Sequence, residues 1–293
     1  MPRETLVHWT WLVYLEMFCA GTAAGAYVTA AILELLGRGR SPIVRTAHLI
    51  AFPLMALAGL LLIVDLQHPE RFWHMLLQSE RLVPMLKWWS PMSLGSWGVL
   101  LFNLFAFVSF LDALVATDQL HVFGWRSHRT LHGSPLGLVW SILGGVAAFF
   151  VAGYSGVLLN VTNMPGWSDS TLIGGLFVAI SAATGMAAVL FVHVARDRTG
   201  PEEVELERAN TLAVVWQLVF LVLFLVTAPA GLFLTGLPLL AIVLAVILVL
   251  VALLFRTIFR TRNAPASAFA ALLVLLGGFL LRYAVVMGPQ QHG

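Results

Sequence analysis

The sequence predicts an all-α fold: a polytopic integral membrane protein with eight transmembrane helices arranged as two four-helix bundles, forming a single membrane domain over 1–293. Two observations carry this. The chain is 60% hydrophobic and only 10% charged, with a mean hydropathy of +0.92. Its apolar residues also come in runs of about 20 or more rather than in an amphipathic rhythm. A soluble domain is excluded, and almost no extramembrane mass is left for a soluble catalytic domain.

Spans are expected near 9–36, 43–66, 95–116, 136–159, 171–194, 211–232, 236–256 and 266–287, each bounded by charges, Pro or Gly. The first opens on an aromatic belt, His8-Trp9-Thr10-Trp11. It carries Gly21 and Gly25, a small-xxx-small step that admits another helix closely, with Ala20, Ala23 and Ala24 extending the narrow surface. Its length, and the presence of Tyr14, Glu16 and Tyr27, argue against a cleaved secretory signal. The second span runs from Leu49 to Val64 without a polar break and delivers Asp65. Ser93 is the expected N-cap of the third, and Asn103 on it is expected to bond a neighbouring helix. The fourth ends on Gly153-Tyr154-Ser155-Gly156. The fifth to eighth are mainly Leu, Val, Ala and Phe and read as scaffold (168–293), against site-bearing helices over 1–167. The sixth and seventh are divided only by Pro229, Gly231, Gly236 and Pro238, and Glu202 to Glu207 reads as an acidic, solvated turn before the sixth.

Taking the loops alternately, eleven basic residues (Arg38, Arg40, Arg45, Arg126, Arg129, Arg196, Arg198, Arg208, Arg256, Arg260, Arg262) fall on one side and five (Arg3, Arg71, Arg81, Lys87, Arg282) on the other. The positive-inside rule then puts both termini and Asp65 outside, on the periplasmic face of a bacterial inner membrane. The lone Cys19 excludes a disulfide framework. His121, His128 and His132 read as a solvated loop. His48 and His193 are the only conceivable haem axial pair and are better read as interfacial, so no haem and no metal is expected.

The chemistry collects around Asp65-Leu66-Gln67-His68-Pro69-Glu70-Arg71-Phe72-Trp73. Ionisable groups at membrane depth are expensive and mark function, although an interfacial cap would use the same residue types. Glu16 lies ~10 Å below Trp9 at 1.5 Å per residue, and Tyr154 lies ~8 Å before the end of the fourth span, a similar depth. A carboxylate at that depth must be protonated, paired or facing a polar cavity. Gly153 and Gly156 leave room beside Tyr154 for a flat molecule or a neighbouring backbone. Asp65 and His68 as proton acceptors, with Glu16 and Tyr154 beside them, are the equipment needed to hold a quinol by its two hydroxyls and take its protons.

The same residues carry a resemblance. Tyr14-Leu15 with Gly21-Thr22-Ala23-Ala24-Gly25-Ala26-Tyr27, the Asp65–Trp73 run, Ser90-Pro91 with Gly95-Ser96-Trp97, and Gly153–Leu159 with Pro165 and Trp167 resemble the NrfD/PsrC family of membrane anchor subunits, typified by polysulfide reductase. The resemblance implies a haem-free, quinone-binding subunit (menaquinone or ubiquinone) of an anaerobic respiratory oxidoreductase complex, not catalytic alone on the terminal substrate. It implies electron transfer between the quinone pool and a four-cluster ferredoxin-like iron–sulfur subunit, with molybdopterin in a separate catalytic subunit. By resemblance Tyr154 is the quinone-binding tyrosine and Asp65 the acid closing the second helix, with Tyr14 and Arg71 nearby in the matching motifs. Glu16 stands where polysulfide reductase has histidine. The outer loop from Gln67 to Leu94 is the expected docking platform. An ion or proton transporter and a purely structural anchor are the rival readings: the first calls for ionisable groups through the full bilayer depth, the second makes Glu16 dispensable.

Overall fold

The computed structural model describes residues 9–66, 68–117, 131–196, 201–258 and 264–291. His121, His128 and Gln67 lie outside them. Among the described residues eight helices are long and apolar enough to cross a membrane: α1 (Trp11–Leu35), α2 (Pro42–Asp65), α3 (Pro91–Ala116), α4 (Pro135–Asn160), α5 (Leu172–Ala195), α6 (Pro201–Thr227), α7 (Gly236–Ile258) and α8 (Ala264–Met287). No strand accompanies them beyond an isolated Leu77–Pro84 bridge in the α2–α3 connection.

Three of the helices start on the same dipeptide, Ser-Pro. Ser41, Ser90 and Ser134 accept a hydrogen bond from the amides of Ile43 (3.2 Å), Ser93 (3.4 Å) and Gly137 (3.1 Å), while Pro42, Pro91 and Pro135 occupy the first helical position, where a missing N–H costs nothing. The expected Ser93 cap is therefore corrected: Ser90 caps α3, which begins a turn earlier than its apolar run. Asn103 is corrected too, since its side chain donates to the Val99 carbonyl of its own helix (3.0 Å).

The largest boundary correction is α6. It starts at Pro201, and the stretch read as a solvated turn is helical, with Glu203 and Glu207 buried. Glu202 and Glu203 sit in the first turn, where the helix dipole favours negative charge. Glu202 accepts from Ser41 and Glu205 pairs with Arg38, tying α6 to the α1–α2 connection. Glu205 holds the Arg38 guanidinium above its ordinary range.

Helices α1 and α5 are central, 72% and 67% buried along their most apolar windows against 28% for α2. Within the first four helices α1 packs on α2 and α4; within the last four, α5 packs in the same way on α6 and α8. The two sets meet where α1 crosses α5. A Cβ on Gly25 would lie 1.9 Å from the Ser181 carbonyl oxygen, and one on Gly185 2.2 Å from the Gly25 carbonyl carbon, so the backbones touch and only glycine fits. Gly25→Leu should therefore separate the halves, with overpacking costs of about 1–3 kcal/mol or more. Thermal unfolding of the detergent-solubilised protein measures this, and a wild-type midpoint would mean that the crossing yields without cost.

Candidate functional site

Consecutive helices alternate in direction, so the start of α1 and the ends of α2 and α4 share one end of the bundle. Thr10 Oγ1 donates to Asp65 Oδ1 (2.6 Å), joining the N-cap of α1 to the last residue of α2. Beyond Asp65 the chain turns out and winds a 3-10 turn over Pro69–Met75. There His68 Nδ1 lies 3.3 Å from Glu70 and Arg71 Nε 3.9 Å from the same carboxylate, all three side chains at least 63% exposed. An exposed pair of this kind holds little energy. His68 and Arg71 thus lie at the surface, while Asp65 looks back towards α1.

Glu16 is buried one and a half turns below Thr10. It shares a helix face with Ala20, Ala23 and Tyr27, at steps of four, seven and eleven residues, and these pack into the apolar core formed with α2, α3 and α4. Tyr14, two residues away, points elsewhere: its ring meets Phe279 and Tyr283 of α8 edge-on, at 5.8 and 5.3 Å. Two groups act on the Glu16 carboxylate electrostatically, the guanidinium of Arg282 and the carboxylate of Asp65, and Glu16 in turn acts on the Tyr154 phenol. No donor among the described residues hydrogen-bonds Glu16.

Tyr154 is set by two features of α3. A Cβ on Gly95 would lie 2.0 Å from its Cζ, so the ring occupies the space that glycine leaves. Its hydroxyl donates to the Pro91 carbonyl (2.8 Å), which leaves the phenolic oxygen as an acceptor. Of the two uses for the flanking glycines, Gly156 serves backbone approach: a Cβ there would be 2.7 Å from Gly174 Cα of α5.

Arg282 is the residue that sequence reasoning missed. Counted among the outer loop charges, it lies inside α8 with no exposed surface. Its Nη2 donates to Ser181 Oγ (2.7 Å) and reaches the Phe177 carbonyl (3.5 Å), and the guanidinium sits 4.7 Å from the centre of the Phe177 ring. Nε and Nη1 have no hydrogen-bond partner among the described residues. Gly21 makes the approach possible, because a Cβ there would meet Nη2 at 2.0 Å. A signal was present: Arg282 is the sole charged residue in an otherwise apolar span.

The opposite end holds a second buried polar cluster. His132, expected in a solvated loop, lies in the turn before α4 but is only 4% exposed, and His48 on α2 is 1% exposed, so neither side chain is solvated. His193 is buried as well. Glu207 lies 3.7 Å from Arg256, whose Nη2 donates to Asn210 (2.6 Å). Helices α5–α8 therefore carry buried ionisable residues as well as apolar packing.

The arrangement defines a class: a multi-pass helical membrane protein with a buried acid, phenol and guanidinium gathered near one end. The chain matches the family described as "Polysulphide reductase, NrfD" over residues 2–292, and it belongs to that family. It is 25% identical over 233 residues to Protein NrfD of Escherichia coli (strain K12), covering 74% of this chain and 70% of that one. It is 29% identical over 200 residues to the C subunit of polysulfide reductase from Wolinella succinogenes, covering 66% of this chain and 60% of that one.

Proposed function

We propose that the chain is the quinone-interacting membrane subunit of a respiratory oxidoreductase complex, binding a quinol headgroup between Glu16, Tyr154 and Asp65. The observation that carries this is the buried Glu16 carboxyl group, which no donor among the described residues hydrogen-bonds and which stands within electrostatic reach of Arg282, Asp65 and Tyr154. A quinol brings two hydroxyl donors, and this chain offers matching acceptors: the Glu16 carboxylate and the Tyr154 oxygen, whose own proton is already given to Pro91. The orphaned N–H groups of Arg282 suit a carbonyl oxygen, the form the headgroup takes after oxidation.

On oxidation a quinol releases two electrons and two protons. Asp65, at the end of α2 and bonded to Thr10, is positioned to take a proton from the headgroup side and pass it towards the exposed turn where His68 lies. Tyr154 and Glu16 orient the ring, and Arg282 acts on Glu16 from α8. The electrons leave to a partner, which the family resemblance makes an iron–sulfur subunit serving a molybdopterin catalytic subunit. With the Asp65 end facing the periplasm, the protons are released there.

Quinol turnover tests this reading. The complex, purified with its partner subunits and placed in lipid vesicles, should oxidise a water-soluble quinol analogue and reduce iron–sulfur clusters in the partner. Ion flux without quinol turnover would favour a transporter, and intact assembly without turnover a structural anchor. The α2–α3 connection is the proposed docking platform: Leu82, Leu86, Trp88 and Trp89 are 55–74% exposed there. Deleting 78–84 should release the iron–sulfur subunit in co-purification while the anchor stays folded; full stoichiometry after the deletion would place docking elsewhere.

A further inference from the structure

We propose that Glu34, His48 and His132 form a binding site for one divalent transition-metal cation at the end of the bundle opposite Asp65. Glu34 is in the last turn of α1, His48 in the second turn of α2, and His132 precedes α4. Each offers a ligand atom, and the three atoms lie within 4.8 Å of one another, all three residues buried. Around a cation with bonds of about 2.0–2.2 Å, tetrahedral donor atoms sit roughly 3.4 Å apart, so side-chain adjustments of about 1 Å close the site.

The surroundings are those of a prepared site. Glu34 Oε1 accepts from the Gly133 amide (2.9 Å), and Oε2 accepts from Ser141 Oγ (2.5 Å) and pairs with His132 Nδ1 (2.7 Å). A carboxylate has about four lone-pair positions, so three partners orient it and leave one for a metal. His132 is fixed through its backbone: Asp112 accepts from the amides of Leu131 (2.5 Å) and His132 (3.1 Å). Gly133, at φ +81°, makes the turn that presents His132 between the two carboxylates.

His48 supplies the independent observation. It is 1% exposed, and neither ring nitrogen has a hydrogen-bond partner among the described residues. Burying two unsatisfied ring nitrogens is costly, and a metal bond to one of them removes part of that cost. Its ring lies 4.2 Å from that of His132 and is flanked edge-on by Tyr27 at 5.0 Å, so it is held against the other two ligands. A small pocket lined by Arg40, Arg45, Asp112, His48 and His132 opens beside the rings and provides the entry path. Glu34 and Asp112 supply two negative charges against the arginines at that mouth.

Two imidazoles and one carboxylate select borderline cations such as Zn2+ and Co2+ over the oxygen-seeking Mg2+ and Ca2+. Binding would staple α1, α2 and the start of α4 together. The test uses the full chain in detergent, stripped with a chelator and titrated with Co2+ and then Zn2+. One equivalent of Co2+ per chain is expected, with visible d–d bands displaced by Zn2+, unaffected by excess Mg2+ and unchanged in His74→Ala at the other end. His48→Gln should weaken binding at least tenfold. Zn2+ should raise the unfolding midpoint of the wild type and leave that of His48→Gln where the metal-free variant has it. X-ray absorption on the Zn2+-loaded wild type should show two imidazoles with oxygen. Binding below a tenth of an equivalent, wild-type affinity in His48→Gln, or a shell without imidazole overturns the site. None of these readouts depends on quinol chemistry.

Discussion

Asp65→Asn should slow quinol oxidation by the assembled complex ~10²–10⁴-fold, the usual contribution of a positioned general base. Asparagine keeps the shape and can still accept from Thr10, so the junction of α1 and α2 and the stoichiometry of the complex should survive. What is lost is the ability to take a proton. His68→Ala should cost less, because the imidazole is 66% exposed beside Glu70 and water can stand in for it as a relay. Tyr154→Phe should act differently again. It removes the acceptor oxygen and frees the Pro91 carbonyl while the ring still fills the space above Gly95. The expected result is a raised KM with kcat less affected, the signature of lost headgroup binding. Stopped-flow oxidation of a soluble quinol analogue separates the three. A wild-type rate in Asp65→Asn with all subunits present would reduce the Asp65 run to a helix cap.

The membrane fold was legible because length and hydropathy decide it: a bilayer-spanning helix must satisfy its own backbone and face lipid with apolar side chains. Helix ends were legible only in part. The apolar run marks where lipid-facing sequence begins, whereas the Ser-Pro caps and the acidic first turn of α6 lie outside it and extend the helices further. Asp65, Glu16 and Tyr154 could be placed at one end from periodicity and depth alone. Their neighbours could not. That Tyr14 turns to α8 follows from its 200° offset from Glu16 about the helix, but which helix stands there is a matter of tertiary packing. The buried state of His132 was hidden for the same reason, since it depends on Glu34 and Asp112, ninety-eight and twenty residues earlier in the chain.

Arg282 provides the second large expected effect. Arg282→Met keeps the volume and apolar stem of the side chain but removes a charge buried beside Gly21, Ser181 and Phe177. Two consequences oppose each other. The desolvation cost of the guanidinium disappears, and with it the burden of its two unpartnered nitrogens. Against this, Glu16 loses the one cation among the described residues that acts on it and keeps the like charge of Asp65. A buried carboxylate with no cation near it carries a desolvation cost of several kcal/mol, more than an apolar replacement returns. Arg282→Met should therefore lower the unfolding midpoint of the detergent-solubilised protein and shut down quinol oxidation. Glu16→Gln combined with it should recover much of the stability, because no buried anion is then left alone, but none of the activity. The recovered part, corrected for the effect of Glu16→Gln alone, is the coupling energy of the double-mutant cycle. Arg282→Lys makes the control, since it keeps the charge but not the planar fork that reaches Ser181 and the Phe177 ring together. Strict additivity of the two single changes would show that Arg282 acts by packing alone, and that Glu16 is kept in the membrane by something other than its charge.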